Sequence, residues 1–303
     1  MSTSAPNLQD WTGRTERADD VVTATPYAAL AATLDRPAER PPDGTPLPPL
    51  WHWLYFLPLA RQSAIGPDGH PRRGGFLPPV PLPRRMWAGS QIEFRQPIRV
   101  GDRLERNSTI ASVDEKSGRT GTLVFVKVRH EIRVAGAASP GAGAARSAPD
   151  AGPAIVEHHD IVYRDAPRAD DPVPAPKAAP ATPAGGWERR VDPDAVMLFR
   201  YSALTFNGHR IHYDRSYVTE VEGYPGLVVH GPLIATLLLD ALRHERPDAR
   251  VARFEFRALR PTFDLNHFFV CGAPDADGRG LHLWAKDHEG WHTMDARVAL
   301  AGA

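Results

Sequence analysis

Apolar positions fall at helical spacing over Val21–Leu34 (VVTATPYAALAATL), and Thr25-Pro26 suits the start of such a helix. From Met86 the period drops to two. Met86–Arg95, Asp102–Glu115 and Gly118–Val134 alternate β-branched and polar residues, with turn residues at Gly101-Asp102 and Lys116–Gly118 between them. Ile155–Tyr163 predicts one more strand. The order then starts again. Asp192–Leu204 predicts a short helix and Pro232–Arg246 a strongly apolar one. Strands are expected over Val251–Leu259, His267–Cys271, Gly280–Lys286 and Trp291–Leu300, with turns at Asp275–Gly278 and His288–Gly290. Helix followed by antiparallel meander, twice over, predicts two similar α+β units whose order repeats although their letters do not. Pro49–Leu59 (PLWHWLYFLPL) is an aromatic cluster that fits either a buried strand or a hydrophobic wall. Gly66–Pro83 is a long Gly/Pro-rich loop of the kind that often forms a binding surface.

Composition adds the boundaries. The 31 prolines and 25 glycines concentrate in two blocks. Residues 135–154 are mostly Ala and Gly and are expected to be a disordered hairpin loop. Residues 165–186 (DAPRADDPVPAPKAAPATPAGG) form a Pro/Ala-rich extended connector with too little apolar surface to pack. The expected organisation is therefore an N-terminal unit over 1–164, a linker over 165–186 and a C-terminal unit over 187–303. Lys+Arg and Asp+Glu stand equal at 36 each, so no net field favours nucleic acid or an anionic membrane surface. No apolar run is long enough to span a bilayer, and the N-terminus carries no secretory signal pattern, so a cytoplasmic protein is expected. The single cysteine, Cys271, excludes an intrachain disulfide framework and a cysteine-built metal site. The adjacent His158-His159 point to opposite strand faces and are a weak metal signal. No metal or other cofactor is expected.

The chemistry concentrates in Phe199–Asp214 (FRYSALTFNGHRIHYD), where an Asn-Gly turn is followed by His209, Arg210, His212 and Asp214. Shortly after, GYPGLVVHGP leads into the apolar helix. Pro232 at its first turn leaves the N–H groups near Gly231, with Val229 and His230, as candidate donors at a helix N-terminus. Reactive side chains come from the first stretch and backbone donors from the second.

This arrangement, a helix cradled by a meander with NGHRIH before it and VHGP at its start, resembles the hot-dog fold of the MaoC-like hydratases. Their Asp-x-Asn-Pro-x-His motif maps onto Asn207, His209, Arg210 and His212, and only the histidine is retained. The longer strings RYSALTFNGHRIHYD and GLVVHGP, with PLPRRMWAGSQIEF over Pro81–Phe94, are similar to the type 2 hydroxyacyl-thioester dehydratases and to bacterial mesaconyl- or itaconyl-CoA hydratases. The resemblance implies a double hot-dog, α+β, with a dehydratase-like N-terminal unit that carries no reactive residue and walls the acyl group, through Trp51–Leu57 and the loop to Pro83. It implies a hydro-lyase on an enoyl or 3-hydroxyacyl thioester, with acyl-CoA or an acyl carrier protein as the partner and a homodimer of chains left open.

Hydrating an enoyl thioester requires a base for water, an acid for the α-carbon and stabilisation of the enolate oxygen. His212 can take and return a proton near neutral pH. Asn207 cannot act as a base, since an amide only donates and accepts hydrogen bonds, so its expected role is to orient water. Arg210 and Tyr213 are expected at the substrate's polar end and His209 at the site wall; Arg210, Arg84 and Arg85 are the cations a dicarboxylic acyl group would need. Dehydration of acyl-carrier-protein substrates, thioester hydrolysis and non-catalytic acyl-CoA binding remain as alternatives.

Overall fold

The computed structural model describes residues 6–118, 121–135, 152–166, 175–275 and 280–302. Strands β1 (Thr15–Val21), β2 (Arg84–Phe94), β3 (Arg103–Gly118), β4 (Gly121–Val134) and β5 (Ile155–Arg164) belong to the first half. Strands β6 (Trp187–Val191), β7 (Val251–Ala258), β8 (Phe268–Pro274), β9 (Gly280–Asp287) and β10 (His292–Leu300) belong to the second. They form one antiparallel sheet in the order β1-β3-β4-β5-β2-β7-β10-β9-β8-β6. From either edge inward the two halves read alike, so each strand of one half has a counterpart in the other. The repeat expected from the element order is real, and it is the double hot-dog.

The halves join through β2 and β7, with Gly89 paired to Arg257 and Ile92 to Phe254. A Cβ on Gly89 would lie 2.3 Å from the Phe256 carbonyl oxygen, so the seam closes only around a glycine. Of the helices α1 (Ala24–Thr33), α2 (Ala195–Leu204) and α3 (Gly231–Glu245), α3 lies against β8 and β9, while α1 and α2 pack on each other. Helix α3 is the long one, and it buries Leu233, Ile234, Ala235, Leu238, Leu239 and Leu242 in the main core. Among the described residues the first half has no helix of comparable length, so only the second unit carries a long central helix.

Several expectations need correction. Strands β1 (TERADDV) and β6 (WERRV) are absent from the sequence reading because both are the outer edges of the sheet. Edge strands are kept short and charged against unwanted pairing, and that removes the alternating signal. The aromatic run is not a strand. Trp51–Leu54 is a 3-10 turn between Leu50 and Phe56, both with left-handed backbone (φ 71° and 57°). Helix α1 starts one turn late, after Thr23, because Val21 ends β1. The described part of the connector packs: Ala178 bridges to Trp291, and the Lys177 carbonyl accepts from His292 N at 2.8 Å. Residues 136–151 of the Ala/Gly block, 167–174 of the connector and 276–279 of the last turn lie outside the described residues.

Candidate active site

Helix α2 ends where Phe206 adopts a left-handed conformation (φ 49°), which throws the chain back toward the sheet. The Asn207 amide then donates to the Ser202 carbonyl at 2.8 Å, and Asn207 Oδ1 accepts from His209 N at 3.0 Å. This turn feeds a 3-10 turn over Arg210–His212. The segment before α3 runs alongside, with Val228 N donating to the Ile211 carbonyl at 3.0 Å. His212 is thereby held from both sides. Its Nδ1 lies 2.7 Å from the Val228 carbonyl oxygen, and its ring stacks on His230 at 3.7 Å.

A carbonyl only accepts, so His212 Nδ1 carries the proton and Nε2 keeps its lone pair. The residue is 8% exposed and lines the cavity described below. Burial pushes its pKa down to about 4; the Val228 carbonyl works against that shift and the charge of His70 adds to it. At neutral pH His212 is thus an uncharged imidazole with one basic nitrogen available. His230 is fully buried behind it and shares a 2.8 Å hydrogen bond between Nε2 and the Ser202 hydroxyl. Burial, then the charges of His212 and His209, keep His230 far below its ordinary pKa, so it too is neutral.

The start of α3 lies beside these rings. The amides of His230 and Gly231 have no acceptor among the described residues, whereas the Val229 amide donates to the Thr262 carbonyl at 2.8 Å. The donor set expected from sequence therefore shrinks: Val229 lines the cavity but its N–H is already used. Gly231 borders the cavity, and a Cβ there would meet nothing closer than Met294 Cε at 4.0 Å.

The cavity measures about 1800 Å³ and takes walls from both halves, among them Trp53, Phe56, Trp87, Asn207, His209 and Tyr213. Arg210 is not one of them. Its guanidinium is held by Asp214 at 2.7 Å and lies over the Tyr217 ring, which withdraws it from the substrate role expected for it. Tyr213 sits at the rim, its hydroxyl donating to the Gly208 carbonyl at 3.0 Å. Arg84 is paired with Glu222 at 3.2 Å. Arg85 lines the cavity and has no carboxylate within ion-pair distance among the described residues.

Sequence reasoning missed two groups. A buried polar belt crosses the first half's sheet. Glu157 accepts from Ser90 Oγ at 2.8 Å and Trp53 Nε1 at 3.1 Å, with His52 Nε2 at 3.2 Å; His130, His159 and Arg106 lie near it. Only the alternation of β5, which puts Glu157 and His159 on one face, could have hinted at it. The second group is Asp68 and His70, brought against His209 from the loop over 66–70. The ligand atoms of Asp68, His70 and His209 lie within 4.8 Å of one another, the one set of three among the described residues with the spacing to share a cation.

Comparison with known proteins agrees with this geometry. The profile of the family "Hydroxyacyl-thioester dehydratase type 2" matches residues 50–264. A mesaconyl-C(4)-CoA hydratase from Chloroflexus aurantiacus is 45% identical over 302 residues, covering 99% of this chain and all of that one. Among solved structures, a MaoC-like dehydratase from Phytophthora capsici superposes with a TM-score of 0.66 at 14% identity, covering 98% of each chain. A Mycobacterium tuberculosis protein described as a double hotdog fold superposes with a TM-score of 0.53 at 14% identity, covering 95% of this chain and 96% of that one. The chain has the hot-dog fold, belongs to the hydroxyacyl-thioester dehydratase type 2 family, and is a hydro-lyase of the acyl-thioester hydratase/dehydratase class.

Proposed function

We propose that this hydro-lyase reversibly hydrates a short, branched dicarboxylic enoyl-CoA of the mesaconyl type, with His212 as its acid and base. The observation that carries this reading is the fixed tautomer of His212: Nδ1–H on the Val228 carbonyl, Nε2 open to the cavity. Water attacks C3 of the enoyl group as one of its protons passes to Nε2. The electron pair moves onto the thioester oxygen, and C2 then takes the proton back from the imidazolium. Every atom of water ends in the product. The developing oxyanion lies at the N-terminus of α3, where the amides of Gly231 and His230 and the helix dipole favour negative charge. Glycine at 231 supports this, because a methyl group there would occupy the carbonyl's place without disturbing the core. Gly231→Ala is expected to keep its unfolding midpoint and to lose about 10- to 100-fold in kcat, the scale of a weakened oxyanion donor; a kinetic comparison with thermal unfolding checks it.

The acyl group is argued from charge. Mesaconyl-CoA carries a free carboxylate, and Arg85 is a cavity cation with no carboxylate partner among the described residues. Arg85→Met is expected to raise KM for mesaconyl-CoA by about tenfold or more and to leave crotonyl-CoA, which has no such carboxylate, within about threefold. One charge-assisted hydrogen bond sets that difference. A second reading, a longer hydroxyacyl thioester on CoA or acyl carrier protein, draws on the size of the cavity and its apolar walls at Trp53, Phe56 and Leu57. A panel of mesaconyl-, itaconyl-, crotonyl- and long-chain enoyl-CoA, followed by loss of enoyl absorbance, separates the two. Highest kcat/KM on a long chain would overturn the dicarboxylic reading.

The first half, over 1–164, is proposed to wall the acyl group, and the second, over 187–303, to carry the reaction centre. The acid limb of kcat/KM is expected near pH 4 rather than 6.5, because the neutral His212 persists down to its lowered pKa. A pH–rate profile measured on the intact fold checks this.

A further inference from the structure

We propose that His70, oriented by Asp68, is a second catalytic imidazole of this site and holds the attacking water together with His212. The proposal rests on the hydration reading above and adds to it a group from the opposite half of the chain. Nothing near His70 in sequence marks it; the fold delivers it. The loop over 66–70 is pinned to the His212 segment, with the Arg210 amide donating to the Asp68 carbonyl at 2.9 Å and Arg210 Nη1 to the Pro67 carbonyl at 3.1 Å. Gly69 (φ +89°) lies so close to Gly208 that a Cβ would fall 1.8 Å from the Gly208 oxygen, so the two loops meet backbone to backbone.

Both oxygens of Asp68 are turned on His70. Oδ1 accepts from His70 N at 3.0 Å, and Oδ2 lies 3.1 Å from Nδ1. Burial raises the Asp68 pKa, but the side-chain and backbone hydrogen bonds from His70 outweigh it and keep the carboxyl ionised. An ionised carboxylate only accepts, so His70 Nδ1 carries the proton and Nε2 has the lone pair. Burial lowers the pKa of His70 against the pull of Asp68, and the charges of Arg85 and Arg73 lower it further. His70 thus repeats the state of His212: uncharged, with Nδ1–H committed and Nε2 basic. The rings of His70 and His209 are 4.1 Å apart, those of His209 and His212 5.4 Å, and all three line one cavity.

Water has two O–H donors and needs two acceptors to be held with its lone pair aimed at C3. Asn207 Oδ1 already accepts from His209 N, which ties that oxygen to its own turn and leaves it one lone pair, so it is the weaker second acceptor. His70 Nε2 fills the need. One O–H is given to His212, which takes that proton as the O–C3 bond forms and returns it to C2. The other O–H is held by His70 and stays on oxygen as the product hydroxyl. Asp68 is a positioning residue that fixes the tautomer, as the buried carboxylate does in a catalytic triad. Asp68, His70 and His209 have the spacing to share a cation, and a cation taken by His70 Nδ1 would displace its contact with Asp68.

The test uses the full chain with mesaconyl- and crotonyl-CoA as probes. His70→Gln and Asp68→Asn are expected to lower kcat by about 100-fold and 10-fold, with KM within about threefold and an unchanged unfolding midpoint. Asp68→Glu should recover part of the loss. If His70→Gln and Asp68→Asn turn over like wild type while His212→Gln is dead, the dyad is overturned and the hydration reading stands. If His212→Gln turns over normally, the acid/base reading itself fails. A rise in KM with unchanged kcat would make the loop a binding element only and overturn the proposal. So would a stoichiometric divalent ion in wild type that is lost, with activity, in Asp68→Asn. Should His70→Gln fail to fold, the Asp68 pair carries the test.

Discussion

Replacing His212 with glutamine is expected to lower kcat by roughly 100- to 10,000-fold, the range of a lost general acid–base group. The size of the effect follows from how little else can take its place. Asn207 is an amide, His230 is walled off behind His212 with its Nε2 on Ser202, and the proposed role of His70 is to hold the O–H that stays on the product, so none of them supplies C2 with a proton. Glutamine keeps a donor toward the Val228 carbonyl and fills much of the ring's volume, so the fold should persist. Retained binding of an enoyl-CoA with lost turnover would show that the defect is chemical. Turnover within threefold of wild type would refute the acid/base assignment.

Replacing Glu157 with alanine is expected to cost about 3–5 kcal/mol of stability, the scale seen when one partner of a buried charged pair is removed. Glu157 is 3% exposed and gathers hydrogen bonds from Ser90 and Trp53 with His52 at 3.2 Å. Burial alone would raise its pKa, yet the His52 hydrogen bond and the charges around it hold the carboxyl well below the ordinary range. At neutral pH burial keeps His130 (about 3) and His159 (about 4) uncharged, so hydrogen bonding is what keeps Glu157 ionised there. The sign of the pH dependence follows. A depressed carboxyl adds stability that is present above its unfolded pKa of about 4.3 and is lost as pH falls through the folded value. The depressed histidines add a loss that begins higher, at about pH 6.5, and runs down to about 4 for His159 and about 3 for His130, at up to about 1.4 kcal/mol per pH unit for each. Denaturant titrations of wild type and Glu157→Ala at pH 7.5, at about pH 5 for the histidines and at about pH 3 for the carboxyl check both claims. A variant within about 1 kcal/mol of wild type at pH 7.5 would show that the belt is not a structural network.

Local chemistry made much of this protein legible in its sequence. Alternation over 86–134 gave the inner strands of the first half because a strand such as β4 buries one face more than the other. The edge strands β1 and β6 escaped because an edge needs charge rather than alternation. The aromatic run over 49–59 escaped because a short apolar stretch carries no period, and its turns at Leu50 and Phe56 are forced by the surrounding core. Asn207, His209 and His212 were visible as a dense polar string, and Gly231-Pro232 as a helix entry, since both are signals within a few residues.

Direction and partnership were not visible. Sequence could not say that the Arg210 guanidinium turns back to Asp214, that the Val229 amide is taken by Thr262, or that Arg85 rather than Arg84 is left without an acidic partner among the described residues. These depend on what packs against each group, and that is set by strand register across the whole sheet. The first half looked free of reactive groups because Asp68 and His70 stand in an ordinary Pro-Asp-Gly turn, some 140 residues from His209 and His212 in the numbering. The sequence by itself determined the repeated α+β order, the hydratase-like string and its one retained histidine. The tertiary structure decided which nitrogens are free and which half supplies them, because a proton's position depends on the acceptor facing it, and that acceptor comes from elsewhere in the chain.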